Sequence, residues 1–191
     1  MIEEVLIVDD FLSSSYYKEV ETIMLSNEFP WYFQDNITGI ETNNPRAGFN
    51  HHFIKDGAPS SEHTRFLLPL LLQIQDLSGA STILRARGDM VVRTGEKAEY
   101  PAHIDIYEEP HMSAVFYIGD SDGDTIIYEE TQNDRVTLPR CPPDTLTEME
   151  RTTFKPNRLV LFRGEHWHTG APPLHSARRV IINSNYLMEE A

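Results

Sequence analysis

The chain has 191 residues, 40% of them hydrophobic and 24% charged, the proportions of a soluble globular domain with room for one substantial core. Its 30 Asp and Glu against 16 Lys and Arg leave a formal charge of −14, which repels phosphate backbones and anionic lipid and argues against nucleic acid as a partner. The single cysteine, Cys141, excludes an intramolecular disulfide; between Arg140 and Pro142 it matches no metal pattern and reads as an incidental loop thiol.

Met1-Ile2-Glu3-Glu4-Val5 carries acid where a signal peptide needs Lys or Arg. No stretch approaches the roughly 20 apolar residues of a bilayer span, and the longest apolar cluster, Phe66 to Leu72, is interrupted by Pro69. The expectation is a cytoplasmic protein with no membrane partner. Its 191 residues should form one domain, with a helical section to about residue 80 and a β core from about 81 to 188.

Val5 to Val8 reads as a short buried strand, and Ser13-Ser14-Ser15 offers caps for a helix. Tyr16, Val20, Ile23, Met24 and Asn27 fall on one stripe at helical spacing, so this helix should lay an apolar face on a sheet before Phe29-Pro30-Trp31 ends it. Trp31, Tyr32 and Phe33 should staple it to that sheet rather than border an opening. A second helix is predicted from about Glu62 to Asp76, capped by Ser60 or Ser61, with Pro69 opening its main segment or kinking it. Leu70, Leu71 and Ile74 would face the core.

From Thr82 the period changes to two. Ile83, Arg85 and Arg87 alternate with Leu84 and Ala86, and Met90 to Arg93 continues past Gly88-Asp89. Ser113–Ile118, Thr125–Tyr128, Arg158–Phe162 and Arg179–Asn185 are further strand candidates separated by turn-rich pieces. Short strands after a helical section predict a mainly β fold, a jelly roll with helices packed on one sheet. Thr131 to Pro156, with four prolines and mixed charges, reads as a long surface loop or flap.

The chemistry concentrates at His103-Ile104-Asp105 and, 65 residues after His103, at His168, followed by Arg178 and Arg179. In an extended strand residues i and i+2 share a side, so His103 and Asp105 can chelate one ion. Two neutral imidazoles and one carboxylate form the facial triad that holds non-heme Fe(II) with open positions, whereas a structural zinc site closes its shell. His166 and His168 both follow the apolar strand Leu159–Phe162, and His168 is favoured as the third ligand. His51, His52, His63, His111 and His175 have no partner at useful spacing and read as surface or packing residues.

These segments resemble a known family. Tyr100-Pro101-Ala102-His103-Ile104-Asp105, Ser113 to Ile118, Asp122-Gly123-Asp124-Thr125, Asn157 to Phe162, and His168-Thr169-Gly170 through Arg178-Arg179-Val180-Ile181-Ile182-Asn183 look like the 2-oxoglutarate and Fe(II)-dependent dioxygenases, prolyl-hydroxylase-type branch. Val8-Asp9-Asp10-Phe11-Leu12 is similar to the start of many such chains. The resemblance runs from about Leu84 to the C-terminus. It implies a double-stranded β-helix in which His103, Asp105 and His168 hold Fe(II). It further implies that 2-oxoglutarate and O2 are consumed with release of succinate and CO2 as a substrate is hydroxylated.

A basic residue on a late strand would grip the distal carboxylate of 2-oxoglutarate. Arginine fits, because its planar fork binds carboxylate bidentately and keeps its charge when partly buried. Arg178 and Arg179 have opposite strand faces, and the family pattern favours Arg179; Tyr117 stands where the family places a hydroxyl reaching the same carboxylate. The carboxylate at Asp105 favours hydroxylation over halogenation. A small molecule, an amino acid or a peptidyl proline-like residue is the expected substrate, and Arg85, Arg87 and Arg93 offer positive charge for an anionic or zwitterionic one. The alternatives are a jelly-roll metal- or ligand-binding protein without turnover, and a cupin-like enzyme working without 2-oxoglutarate.

Overall fold

The computed structural model describes residues 4–37, 46–95, 99–106, 110–132 and 142–188. In chain order its elements are β1 (Val5–Val8), α1 (Ser14–Met24), β2 (Tyr32–Gln34), β3 (Gly48–Lys55), β4 (Ala58–Pro59), α2 (Thr64–Ser78) and β5 (Thr82–Val92). Then follow β6 (His111–Ile118), β7 (Thr125–Thr131), β8 (Glu148–Thr152), β9 (Leu159–Arg163), β10 (His166–Gly170) and β11 (Arg178–Leu187). The large antiparallel sheet has the order β1-β9-β6-β11-β5-β3-β2, with β4 paired to β3; the small sheet is β10-β7-β8. This is the mainly β architecture with two helices that the strand spacing predicts.

Side-chain alternation along the large sheet sorts its residues into two layers. Ala114, Phe116, Ile118, Leu159, Leu161, Val180 and Ile182 join Val20, Met24, Leu67, Leu70, Leu71 and Ile74 of the helices in the main core. Their neighbours of opposite parity, Val115, Tyr117, Val160, Phe162 and Ile181, pack with Ile127 of the small sheet. Strands covered on both faces read as continuous apolar runs, which is why β6 and β9 are legible in the sequence.

Both predicted helices form. Trp31 packs against Phe29 with ring centroids 5.0 Å apart and donates its indole N–H to Met24 O at 3.3 Å, stapling α1 as expected. Tyr32 and Phe33 do not share that role, being 58% and 63% exposed on β2 at the sheet edge. Pro69 lies inside α2 rather than opening it. Proline has no N–H and disturbs the preceding turn; here the Tyr16 hydroxyl donates to Phe66 O at 2.7 Å and accepts the Leu70 N–H at 3.2 Å, bridging the backbone around it.

The predicted flap from Thr131 to Pro156 is corrected in part. Glu148–Thr152 is a strand paired with β7, because a ladder needs backbone groups and not apolar side chains. Cys141 lies outside the described residues. Among those described, no helix is long and apolar enough to cross a membrane.

Replacing Tyr16 by phenylalanine removes the bridge and leaves a carbonyl and an N–H without it. Urea unfolding of Tyr16→Phe should show a loss of about 1–3 kcal/mol with an unchanged m-value.

Candidate active site

The segment carrying His103 runs beside β10. His103 N–H donates to His168 O at 2.9 Å and His168 N–H to His103 O at 3.0 Å, a backbone bridge that sets the two imidazole rings 4.5 Å apart. Asp105 reaches the same point, with His168 Nε2 3.5 Å and His103 Nε2 3.8 Å from its carboxylate oxygens. One donor atom from each of the three lies within 4.8 Å of the others.

The ring nitrogens facing away determine what the converging ones can do. His103 Nδ1 meets Pro101 O at 3.3 Å and His168 Nδ1 meets His166 O at 3.1 Å. A carbonyl only accepts, so each Nδ1 carries a proton and each ring turns its Nε2 inward. His168 Nε2 is buried with no hydrogen-bond partner. Burial and the neighbouring His168 push the His103 imidazole down to about 4, keeping it neutral. Burial alone would push the Asp105 carboxyl up; Arg85, with His168 and His103, holds it well below its ordinary 3.8. Two imidazoles, one of them with an orphaned buried Nε2, and an ionised carboxylate fit one divalent cation.

His166 does not join them. A register shift separates it from His168 on β10, and its Nδ1 faces Tyr128 O at 2.8 Å. Of the other histidines, His51 is held by Pro30 O at 2.8 Å and Ser61 Oγ at 2.7 Å, a packing role as expected.

A cavity of about 80 Å³ opens beside the triad. His103 and His168 lie on its wall, as do Tyr100, Thr125, Arg179 and Asn183. Arg179 is 6% exposed; its Nε donates to Gly123 O and its Nη2 to Thr125 Oγ1, both at 2.9 Å. Glycine is required on one side of this fork and eases the packing on the other. A methyl group at Gly123 would meet Ala171 O and come within 2.7 Å of Arg179 Cδ, and one at Gly170 would stand 3.3 Å from Nη1. Arg178 has the opposite parity and lines a separate depression with Leu25 and Gly119. Tyr117 is fully buried and does not line the cavity; its hydroxyl donates to Thr125 Oγ1 at 2.7 Å, so it meets Arg179 through Thr125.

Several site residues escaped the sequence reading. Asp105 accepts from Arg85 Nη2 at 2.7 Å, Asn185 Nδ2 at 3.0 Å, Ser113 Oγ at 3.2 Å and Asn183 Nδ2 at 3.3 Å. Asn183 and Asn185 share the parity of Arg179 on an otherwise apolar strand, a signal available in the sequence. Arg85 turns to this carboxylate, Arg93 lies outside the cavity and donates to His175 O at 2.7 Å, and only Arg87 of the three lines the cavity. Burial pushes the Asp89 carboxyl beside it up, against the pull of Arg87.

No protein-family model matches the sequence, and no curated protein does. Solved structures do match. A Trichoplax adhaerens prolyl hydroxylase, in complex with a hypoxia inducible factor peptide, superposes with a TM-score of 0.65 at 16% identity over 96% of this chain and 83% of its own. A Pseudomonas putida prolyl-4-hydroxylase gives 0.59 at 14% over 97% and 93%. The fold is the double-stranded β-helix of these oxygenases. The epimerase SnoN, in complex with Fe3+, alpha ketoglutarate and nogalamycin RO, gives 0.61 at 11% over 97% and 79%.

The approach to β11 is anchored by Asp122, whose carboxylate accepts the N–H groups of Leu174, His175 and Ser176 at 2.8–3.1 Å. Burial raises its pKa, and the three donors more than offset this, lowering it from 3.8 to about 2. The folded value lies below the unfolded one, so the stabilisation is complete above about pH 4 and disappears as pH falls through about 2. Asp122→Asn should melt below wild type at neutral pH, and the two melting curves should converge toward pH 2.

Proposed function

We propose that this chain is an Fe(II)- and 2-oxoglutarate-dependent oxygenase that hydroxylates a small molecule, an amino acid or a peptidyl residue. The observation that carries this reading is the convergence of His103, Asp105 and His168, one nitrogen orphaned, beside a cavity whose wall also holds a buried arginine. The prolyl hydroxylases and SnoN, which share the fold, support the choice of iron and 2-oxoglutarate.

His103, Asp105 and His168 would hold the ion on one face and leave the other face to the co-substrate and O2. When bound, iron with 2-oxoglutarate supplies the oxidation of a substrate C–H bond, releasing succinate and CO2. Arg179 would take the distal carboxylate, its fork fixed in direction by Gly123 O and Thr125. Tyr117 fixes Thr125 in turn, and the Arg179 guanidinium carbon lies 5.8 Å from its ring centroid. The donors around Asp105 hold its carboxylate toward the ion.

Anaerobic titration with Fe(II) and 2-oxoglutarate, followed by visible absorption, tests the reading. Wild type should develop a charge-transfer band, and His168→Ala should lose it. Arg179→Ala should need about ten- to a hundredfold more 2-oxoglutarate, the worth of a charged hydrogen-bonded pair. No band from a folded, iron-loaded protein would move the assignment to a metal-binding jelly roll or a cupin-like enzyme. Independently, Gly123→Ala should raise the 2-oxoglutarate requirement in the same titration without abolishing the band, since it crowds the fork and leaves the triad alone.

A further inference from the structure

The cavity wall carries a second pair of charges that neither the triad nor the co-substrate uses. Arg87 and Asp89 stand two residues apart on β5, opposite Asn183 and Ile181 of β11, and both line the cavity. Arg87 Nε lies 2.7 Å from Asp89 Oδ1, with side chains 17% and 10% exposed. Both contacting atoms are buried.

A buried ion pair costs several kcal/mol of desolvation per ion, and apolar residues of similar volume often serve a wall better. Here the rest of that wall is apolar where it can be, with Ile37, Val91, Val115 and Ile181. The pair therefore places one positive and one negative group side by side, and their contact engages only one nitrogen of the guanidinium and one of the two carboxylate oxygens. A ligand with one carboxylate and one ammonium on the same carbon complements it.

Resting on the oxygenase reading, we infer that Arg87 and Asp89 form a receptor for a free α-amino acid, Arg87 taking its carboxylate and Asp89 its ammonium. A residue within a peptide carries neither charge and would leave both groups buried and unmatched, so the site selects free amino acids over peptides. A bidentate guanidinium–carboxylate contact gives the orientation that presents the side chain for oxidation.

The test is binding, separate from turnover. The protein, with Zn(II) in place of iron and with 2-oxoglutarate, is titrated by calorimetry with the standard free L-amino acids, each beside its N-acetyl and C-amide derivative. At least one free amino acid should bind, and both of its singly charged derivatives should bind at least about tenfold more weakly, the worth of one charged hydrogen bond. Arg87→Gln and Asp89→Asn should each weaken that amino acid by a similar factor, while Arg93→Gln, outside the cavity, should bind as wild type does. Should a single variant fail to fold, Arg87→Met combined with Asp89→Leu removes both charges without stranding one and should bind no amino acid.

Derivatives that bind as tightly as their parents, or pair variants that bind as wild type, would overturn the receptor. The charge-transfer titration of wild type separates the two claims. A normal band with no amino acid bound sinks the receptor alone; an amino acid bound without a band sinks the oxygenase reading and leaves the receptor standing; loss of both sinks both.

Discussion

A carboxylate taken out of water must recover its lost hydration from fixed charges and donors, and Asp105 does so from three strands at once. Arg85 comes from β5, Ser113 from β6, and Asn183 and Asn185 from β11. These strands are neighbours in the large sheet, so the carboxylate is held by side chains whose own positions are set by the β ladder. The satisfied network fixes where Asp105 points, and His103, two residues earlier, is fixed with it. The third ligand then follows from the backbone bridge to His168. A cation would find its ligands already placed and would cost little reorganisation on binding.

Strand parity makes this arrangement compatible with a stable core. Along β11 the even positions Val180, Ile182 and Tyr186 pack under the helices, while Arg179, Ile181, Asn183 and Asn185 face inward. Along β5 the inward positions are Arg85, Arg87, Asp89 and Val91. A slip of one residue would put charged groups beneath α1 and α2 and apolar ones in the cavity. The apolar residues of the outer layer thus hold the polar residues of the inner layer in register. Core and site are opposite faces of the same strands.

The same parity explains what was legible. His103, Asp105, His168 and Arg179 could be named because the spacing i, i+2 and the late arginine survive in the linear chain, and strands buried on both faces stand out as apolar runs. β3, β8 and β10 could not. Gly48–Lys55 mixes histidine with aromatics, Glu148–Thr152 is charged, and His166–Gly170 has only Trp167 as a large apolar residue. Their pairing rests on partners far along the chain. The reading carried β5 past Gly88, and the strand does run through it. A side chain there would come within 2.9 Å of Met24 Cε and 3.2 Å of the Trp31 ring, so the glycine records the close approach of α1 rather than a turn. Thr125 was visible only as a strand residue, because its role as the acceptor shared by Tyr117 and Arg179 exists only once three strands meet.

The bridge between His103 and His168 has a consequence for how such a chain can vary. The two residues are joined by reciprocal backbone hydrogen bonds, and each strand beside them is pinned by its own ladder. The spacing of the imidazoles therefore depends on backbone groups that every residue but proline supplies. Descendants of this chain would be free to change the side chains beside the bridge while inheriting the ligand geometry unchanged.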